Sequence, residues 1–270
     1  MRLFDSHAHY DDARFEGQTE VILTAVHAFG VQTIVNIGAS LASSRTSVSL
    51  AEAHDYMYAS VGVHPSDAVN DMKDPTWLEQ LEALFKHPKV LAIGEIGLDY
   101  HYGKDDIEEQ KTCFEAQMAL AARLHAPVVI HDREAHEDTL AILAKFPDVT
   151  AVIHSFSGSA EMAKEILCRG HYLSVGGVLT FSNARKLVEV VEQLDTLHPE
   201  ARSRLLLETD CPYLAPVPYR GKLNRSDYML ETAKKAASLL QISTEELCEM
   251  TYRNACRFYG LPYEPEEVGE

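Results

Sequence analysis

Leu3-Phe4-Asp5-Ser6-His7-Ala8-His9-Tyr10 opens the chain. It reads as a β-strand ending in two histidines one residue apart. Side chains on a strand alternate faces with period two, so His7 and His9 point the same way. Two imidazoles side by side supply half of a metal site. The rest of the chain decides the fold by whether its other strands bring further ligands to the same end.

Working outward from residues 3–9, strand character returns at 32–38, 57–64, 90–99, 126–131, 149–155, 172–178 and 205–210. Segments of helical period alternate with them: 16–29, 42–54, 77–85, 105–125, 134–146, 160–169 and 183–197, then 227–240 and 244–259. The clearest is 105–125, where Ile107, Phe114, Met118, Ala121 and Leu124 recur at three, four or seven. Ser243 and Glu246 read as a capping box, which satisfies backbone donors that the first helical turn leaves open. Eight strands alternating with helices predict a parallel sheet. Closed on itself, it is a single (β/α)8 TIM barrel of about 250 residues, with its site at the C-terminal ends of the strands. A doubly wound open sheet is the alternative, but no GxGxxG fingerprint follows the first strand. Residues 1–260 are expected to form the barrel. Residues 261–270 form a polar, acidic tail that is expected to fray.

Of the 270 residues, 46% are hydrophobic and 24% charged, an ordinary globular balance. There is no run of about 20 apolar residues, so no membrane span is expected. The chain enters its first strand at once, leaving no room for a signal peptide. Five scattered cysteines without a CxxC pair point to free thiols in a reducing, cytoplasmic setting. The net charge of −17 argues against coating duplex nucleic acid, which depends on phosphate neutralisation. An enzyme acting on nucleic-acid ends is still allowed, because bound metals and a few local cations can invert the field inside one pocket. No obligate protein partner is indicated.

Further ligand types fall near strand ends. His64 precedes Pro65, Glu95 lies two residues beyond Ile93 and so on its face, and His131, His154 and Asp210 end three later strands. Any one buried histidine is more often a hydrogen-bonded core residue than a ligand. Glu95, within the apolar run 91–98, needs either an internal salt bridge or a cation, since burying an unpaired charge is costly. Four histidines (His7, His9, His131, His154) and two carboxylates at one end of the barrel are hard to explain by packing. Imidazole and carboxylate without thiolate suit Zn, Mn, Fe, Co or Mg. Six ligands exceed one tetrahedral ion and suit two, with Glu95 as the bridge. Two ions lower the pKa of a water to about 7 and clamp the attacking and leaving oxygens of a displacement. Glu95 and Asp210 are the expected catalytic carboxylates, Asp210 accepting the proton of the attacking water. Metal-assisted hydrolysis follows, with phosphoryl transfer the best-served class.

Around this set, the proline-stiffened loop 215–225 carries Arg220, Lys222 and Arg225, either a phosphate clamp or a solvated patch. His64 is either a donor to a substrate phosphate or a core residue. Glu208 shares the parity of Asp210 and could orient a ligand from behind. Arg133 is a candidate substrate contact, and Tyr100 and Tyr213 could stack on a base or simply pack. Ser157-Gly158 could offer backbone donors, and Cys211 reads as packing.

These segments resemble the TatD family of metal-dependent deoxyribonucleases, within the amidohydrolase-like barrels. The resemblance rests on residues 5–9, 61–65, 94–100, 130–133, 154–158, 207–213, 220–224 and 254–258, and covers nearly the whole chain. It implies His7, His9, Glu95, His131, His154 and Asp210 as ligands of two divalent ions (Mg, Mn or Zn). It also implies DNA phosphodiester cleavage, as a 3′–5′ exodeoxyribonuclease on single strands. Related barrels imply an alternative, an ester or amide hydrolase such as a D-aminoacyl-tRNA deacylase. A metal-holding barrel that only binds a partner is a third reading, disfavoured by the intact ligand set. Two departures from the pattern, Ser226 for proline and Asp132 for a small residue such as serine, are expected to touch substrate loops.

Overall fold

The structure, a computed structural model, describes residues 1–103 and 105–265. Eight strands lie in sequence order: β1 (Leu3–Ala8), β2 (Val31–Ile37), β3 (Met57–Val61), β4 (Val90–Asp99), β5 (Val128–Arg133), β6 (Ala151–Ile153), β7 (Tyr172–Val175) and β8 (Leu205–Leu207). Successive strands pair in parallel. The helices are α1 (Thr19–Phe29), α2 (Leu41–Ala53), α3 (Ala68–Asp71), α4 (Trp77–Phe85), α5 (Ile107–Leu124), α6 (His136–Leu143), α7 (Ala160–Cys168), α8 (Arg185–Glu192), α9 (Leu194–Leu197), α10 (Met229–Leu240) and α11 (Thr244–Tyr259). This is a (β/α)8 barrel. The expected helix at 183–197 is two, α8 and α9, parted at Gln193. The Ser243 hydroxyl accepts from the Glu246 amide at 3.0 Å, as the capping pattern requires.

The last seam is made differently from the others. β8 ends before it can ladder along β1, and beyond it the His9 amide donates to Cys211 O (2.8 Å) and the Asp210 amide to His7 O (2.9 Å). Fully buried Asp5 fills the gap. Its carboxylate accepts from the Thr209 amide (3.0 Å), the Thr209 hydroxyl (2.6 Å) and the Ser226 hydroxyl (2.7 Å). Ser226 also pairs with the Tyr10 hydroxyl at 2.7 Å and is buried, so it belongs to the seam and not to a substrate loop.

Inside the barrel, Phe4, Val35, Ile37, Ala92, Val129, Val152, Tyr172 and Leu206 pack against Ala255, Phe258 and Tyr259 of α11. α11 thus plugs the N-terminal end, leaving the other end for polar groups. Leu261 and Tyr263 pack against this cluster, where fraying was expected. Arg2 ties Glu249 (2.8 Å) and the Glu264 carbonyl (2.6 Å) together, and the Tyr263 hydroxyl donates to Glu249 at 2.5 Å. Residues 266–270 of the expected tail lie outside the described residues.

Candidate active site

Strand alternation alone does not aim the ligands. Phe4 points into the barrel, yet so does His7, because β1 shifts register between Asp5 and Ala8. Ile93 faces the helical layer, so its parity would have carried Glu95 outward. A shift between Ile93 and Ile96 turns Glu95 inward. Gly94 permits the kink. Its φ is +152°, and a Cβ there would stand 2.7 Å from Val129 Cβ. β5 keeps regular alternation from Val129 to His131, and β6 from Val152 leads to His154. β6 and β8 stop early because the chain turns at Ser155 and Asp210, both with positive φ, and the Ser155 amide leaves the ladder for Glu208 Oε1 at 2.7 Å.

These turns converge on a cavity of about 640 Å³ whose lining includes His9, His64, Glu95, His131, His154 and Asp210, with His7 buried behind them. Glu95 divides the set. Its Oε2 faces His7 Nε2 (3.5 Å) and His9 Nε2 (3.7 Å), and Asp210 Oδ1 stands 3.7 and 3.4 Å from the same nitrogens. The two Nε2 atoms are 3.0 Å apart. A tetrahedral ion with bonds of about 2.1 Å holds its ligands about 3.4 Å apart, so these four atoms could hold one. Glu95 Oε1 faces His131 Nδ1 and His154 Nε2, both at 2.8 Å, and those nitrogens are 3.2 Å from each other. This second group could hold another cation.

Two of the free ring nitrogens, those of His9 and His131, are held from outside by hydrogen bonds. His9 Nδ1–H donates to Ile37 O at 3.1 Å, His131 Nε2–H to Asp99 at 3.1 Å, and His154 Nδ1 lies 3.6 Å from Glu208. The two bonds fix which nitrogen of His9 and of His131 faces the centre. The site also demands positive charge. Burial opposes protonation of His9, but its bond to Asp210 together with the charges of Asp210, Glu95 and Asp11 outweighs burial and pushes the imidazole up to about 9. His154 is raised well above its ordinary value against the same burial penalty, by Glu95 and Glu208. Glu95 sits well below the usual carboxylate range, because the surrounding imidazoles outweigh its burial. The cavity lining holds seven carboxylates (Asp11, Asp12, Asp67, Glu95, Asp99, Asp132, Asp210) and one arginine, Arg133. The residues therefore fit divalent cations, which supply the missing charge without protons.

His64 behaves differently. Burial pushes it down to about 3, so the ring is neutral. The fixed Ser66 amide donates to its Nδ1 at 3.1 Å, which leaves the proton on Nε2, 3.7 Å from Glu95 Oε1. Its position beside Glu95 and His131 also suits a metal. The backbone donor on Nδ1 favours the role of hydrogen-bond donor, because a cation needs the Nε2 lone pair.

Of the candidate substrate contacts, Arg133, Tyr213 and Ser157 line the cavity. Arg220 and Lys222 do not. The Arg220 guanidinium lies 3.7 Å from the Phe181 ring centre, and Lys222 sits 5.5 Å from that of Tyr219. Tyr100 turns away to Asp138 (2.7 Å), and Asp132, on the cavity wall, takes His136 Nδ1 at 2.7 Å. Cys211 is fully buried with its thiol pushed well up by burial, so it packs. Asp99 and Tyr102 line the cavity without having been singled out from sequence. Asp99 was findable: past the kink, Glu95, Gly97 and Asp99 share one face of β4.

A barrel with two such ligand groups at the C-terminal ends of its strands is a metal-dependent hydrolase. The chain belongs to the TatD-related DNase family, whose model matches residues 4–260. It is 40% identical over 263 residues to the uncharacterized metal-dependent hydrolase YabD of Bacillus subtilis, covering 96% of this chain and 99% of that one. It is 34% identical over 266 residues to the uncharacterized metal-dependent hydrolase YcfH of Escherichia coli, covering 97% of each. The crystal structure of the TatD homolog YjjV from Escherichia coli superposes with a TM-score of 0.87 at 29% identity, over 97% of this chain and 99% of that one. Among the described residues no helix is long and apolar enough to cross a membrane.

Proposed function

We propose that this chain hydrolyses DNA phosphodiester bonds in the cytoplasm, releasing nucleotides from the 3′ ends of single strands. His7, His9, Glu95, His131, His154 and Asp210 would hold two divalent ions (Mg, Mn or Zn). One observation carries the reading: the Glu95 carboxylate offers one oxygen to each of two ligand groups. When bound, the ions supply Lewis acidity to the phosphoryl oxygens and acidify a water. The protein does the rest. Asp210 remains ionised, because His9 and its neighbours outweigh its burial, and it accepts the proton of the attacking water. His64 Nε2–H donates to a non-bridging phosphate oxygen. Arg133 and Tyr213 at the lining bear on the substrate, and Glu208 steadies His154 from behind. Arg220 and Lys222 lie outside that lining, so any phosphate they clamp is one further along the strand.

A time course on a 5′-labelled single-stranded oligonucleotide, with Mg²⁺ or Mn²⁺ and with EDTA, tests this. A metal-dependent ladder shortening from the 3′ end is expected. Glu95→Ala should abolish it with the circular dichroism unchanged, and full metal-dependent turnover in that variant would remove Glu95 from the mechanism.

The acid-rich lining favours one second reading. Asp11 and Asp67 at the wall suit an ammonium group, as an aminoacyl ester carries. Faster hydrolysis of D-aminoacyl-tRNA than of oligonucleotides would establish that alternative.

A further inference from the structure

The exposed aromatic rings are not scattered. Among the described residues the exposed aromatic side chains are Phe29, Tyr102 and Tyr213, and both tyrosines line the active-site cavity, at 83% and 43% exposure. Tyr102 follows β4 and Tyr213 follows β8. In a ring of eight strands taken in order, β4 and β8 are diametrically opposed, so the tyrosines stand on opposite sides of the mouth with the ligand groups between them.

Each ring is held. The Tyr213 hydroxyl donates to Asp12 Oδ2 at 3.0 Å, and Arg14, itself paired to Asp12 at 2.8 Å, lies 3.9 Å from the ring centre. Arg133 donates to the Tyr102 hydroxyl at 3.3 Å and lies 5.1 Å from its ring centre, and His101 meets that ring edge-on at 5.0 Å. A ring fixed in advance loses little freedom when a flat ligand stacks on it. The wall between them is acidic, so attraction of phosphates alone does not explain how a polyanion would be gripped there. Stacking on an aromatic face is indifferent to charge and works for any base.

We propose that Tyr102 and Tyr213 are two base-stacking platforms, one on each side of the scissile phosphate, so that the mouth reads at least a dinucleotide with unpaired bases. This rests on the phosphodiester reading above. Bases locked in a duplex present no free face to such platforms, so single strands are selected by geometry.

The test compares kcat/KM for short single-stranded oligonucleotides that are intact or carry a tetrahydrofuran abasic residue immediately 5′ or 3′ of the cleaved bond. Each omission should lower kcat/KM by roughly 10-fold, the order expected for one lost base–aromatic stack. Tyr102→Leu should erase the penalty on one side only and Tyr213→Leu the penalty on the other. Tyr213→Phe, which keeps the ring, should retain it. Cleavage with no abasic penalty, or with penalties untouched by either leucine variant, overturns the platforms and leaves the nuclease reading standing. No cleavage of any phosphodiester overturns both.

Discussion

Asp99 stands behind His131, and its residue type alone does not single it out. The sequence marks ligands by type, since histidines at strand ends are conspicuous, but one more aspartate among 41 acidic residues is not. Its Oδ2 accepts from His131 Nε2 and its Oδ1 from the His101 amide at 2.9 Å. Asp99→Asn keeps the shape and removes the charge that makes His131 a better ligand. Metal affinity, read by competition with a chromophoric chelator, should fall about 10- to 100-fold. Unchanged affinity would reduce Asp99 to a support for the 101 loop. His171, far from this set, makes a different kind of prediction. It is 2% exposed, accepts from the Ala151 amide, and is pushed down to about 4 by burial, with Arg169 and Arg204 adding to the effect. Between the unfolded value near 6.5 and the folded value, the unfolded chain takes a proton that the folded chain refuses. Its contribution is therefore complete above pH about 6.5 and is lost as pH falls toward about 4, by at most about 3 kcal/mol. His171→Asn keeps an acceptor for Ala151 without the titration. Urea unfolding across that window should show a flatter acid limb in the variant, and identical limbs would clear His171 of the effect.

At the scale of the element, all eight strands and most helices were legible, because hydrophobic period and turn residues are local signals. Where each strand aims its last side chains was not. Glu95 was assigned to the cavity by parity with Ile93, and that parity is false. Ile93 faces the helices, and the register shift around Gly94 reverses the alternation. A bulge is a relation between two strands, so no count along one strand reveals it. The β8–β1 seam is hidden for the same reason, since its key partners lie over 200 residues apart. Ser226 looked like a departure in a substrate loop, yet its hydroxyl closes the barrel through Asp5. Ser226→Ala would strip one of the donors from Asp5 and leave the Tyr10 hydroxyl short of a partner. A loss of about 1–3 kcal/mol in urea unfolding is expected, the range for a buried group left unsatisfied. Hydrogen exchange should locate it: the His9 and Asp210 amides that bridge the seam should lose protection before the amides between β4 and β5. Uniform loss of protection would mean the serine contributes only to global stability.

For the whole molecule, the alternation of strand and helix was enough to predict the barrel, and ligand chemistry enough to predict a metal site at its C-terminal end. Charge is the whole-molecule property that pulls against the proposed function. A chain with 41 acidic and 24 basic residues repels a nucleic acid at long range, while the ligand groups and the rim arginines attract it only at close quarters. The two effects separate by distance, and salt distinguishes them. Raising monovalent salt from about 10 mM to about 150 mM shortens the screening length from about 30 Å to about 8 Å. That removes most of the long-range repulsion and reaches the interior of the cavity much less. The association rate constant of a fluorescent single-stranded oligonucleotide, measured by stopped flow at fixed divalent metal, should therefore rise severalfold over this range. Nucleic-acid binders with a basic face show the opposite dependence, because their encounter is steered by attraction. A rate that falls with salt here would mean that the field at the mouth, set by bound ions with Arg14 and Arg133, governs the approach despite the net charge. Stacking on Tyr102 and Tyr213 would then be a second grip, added after charge had already captured the strand.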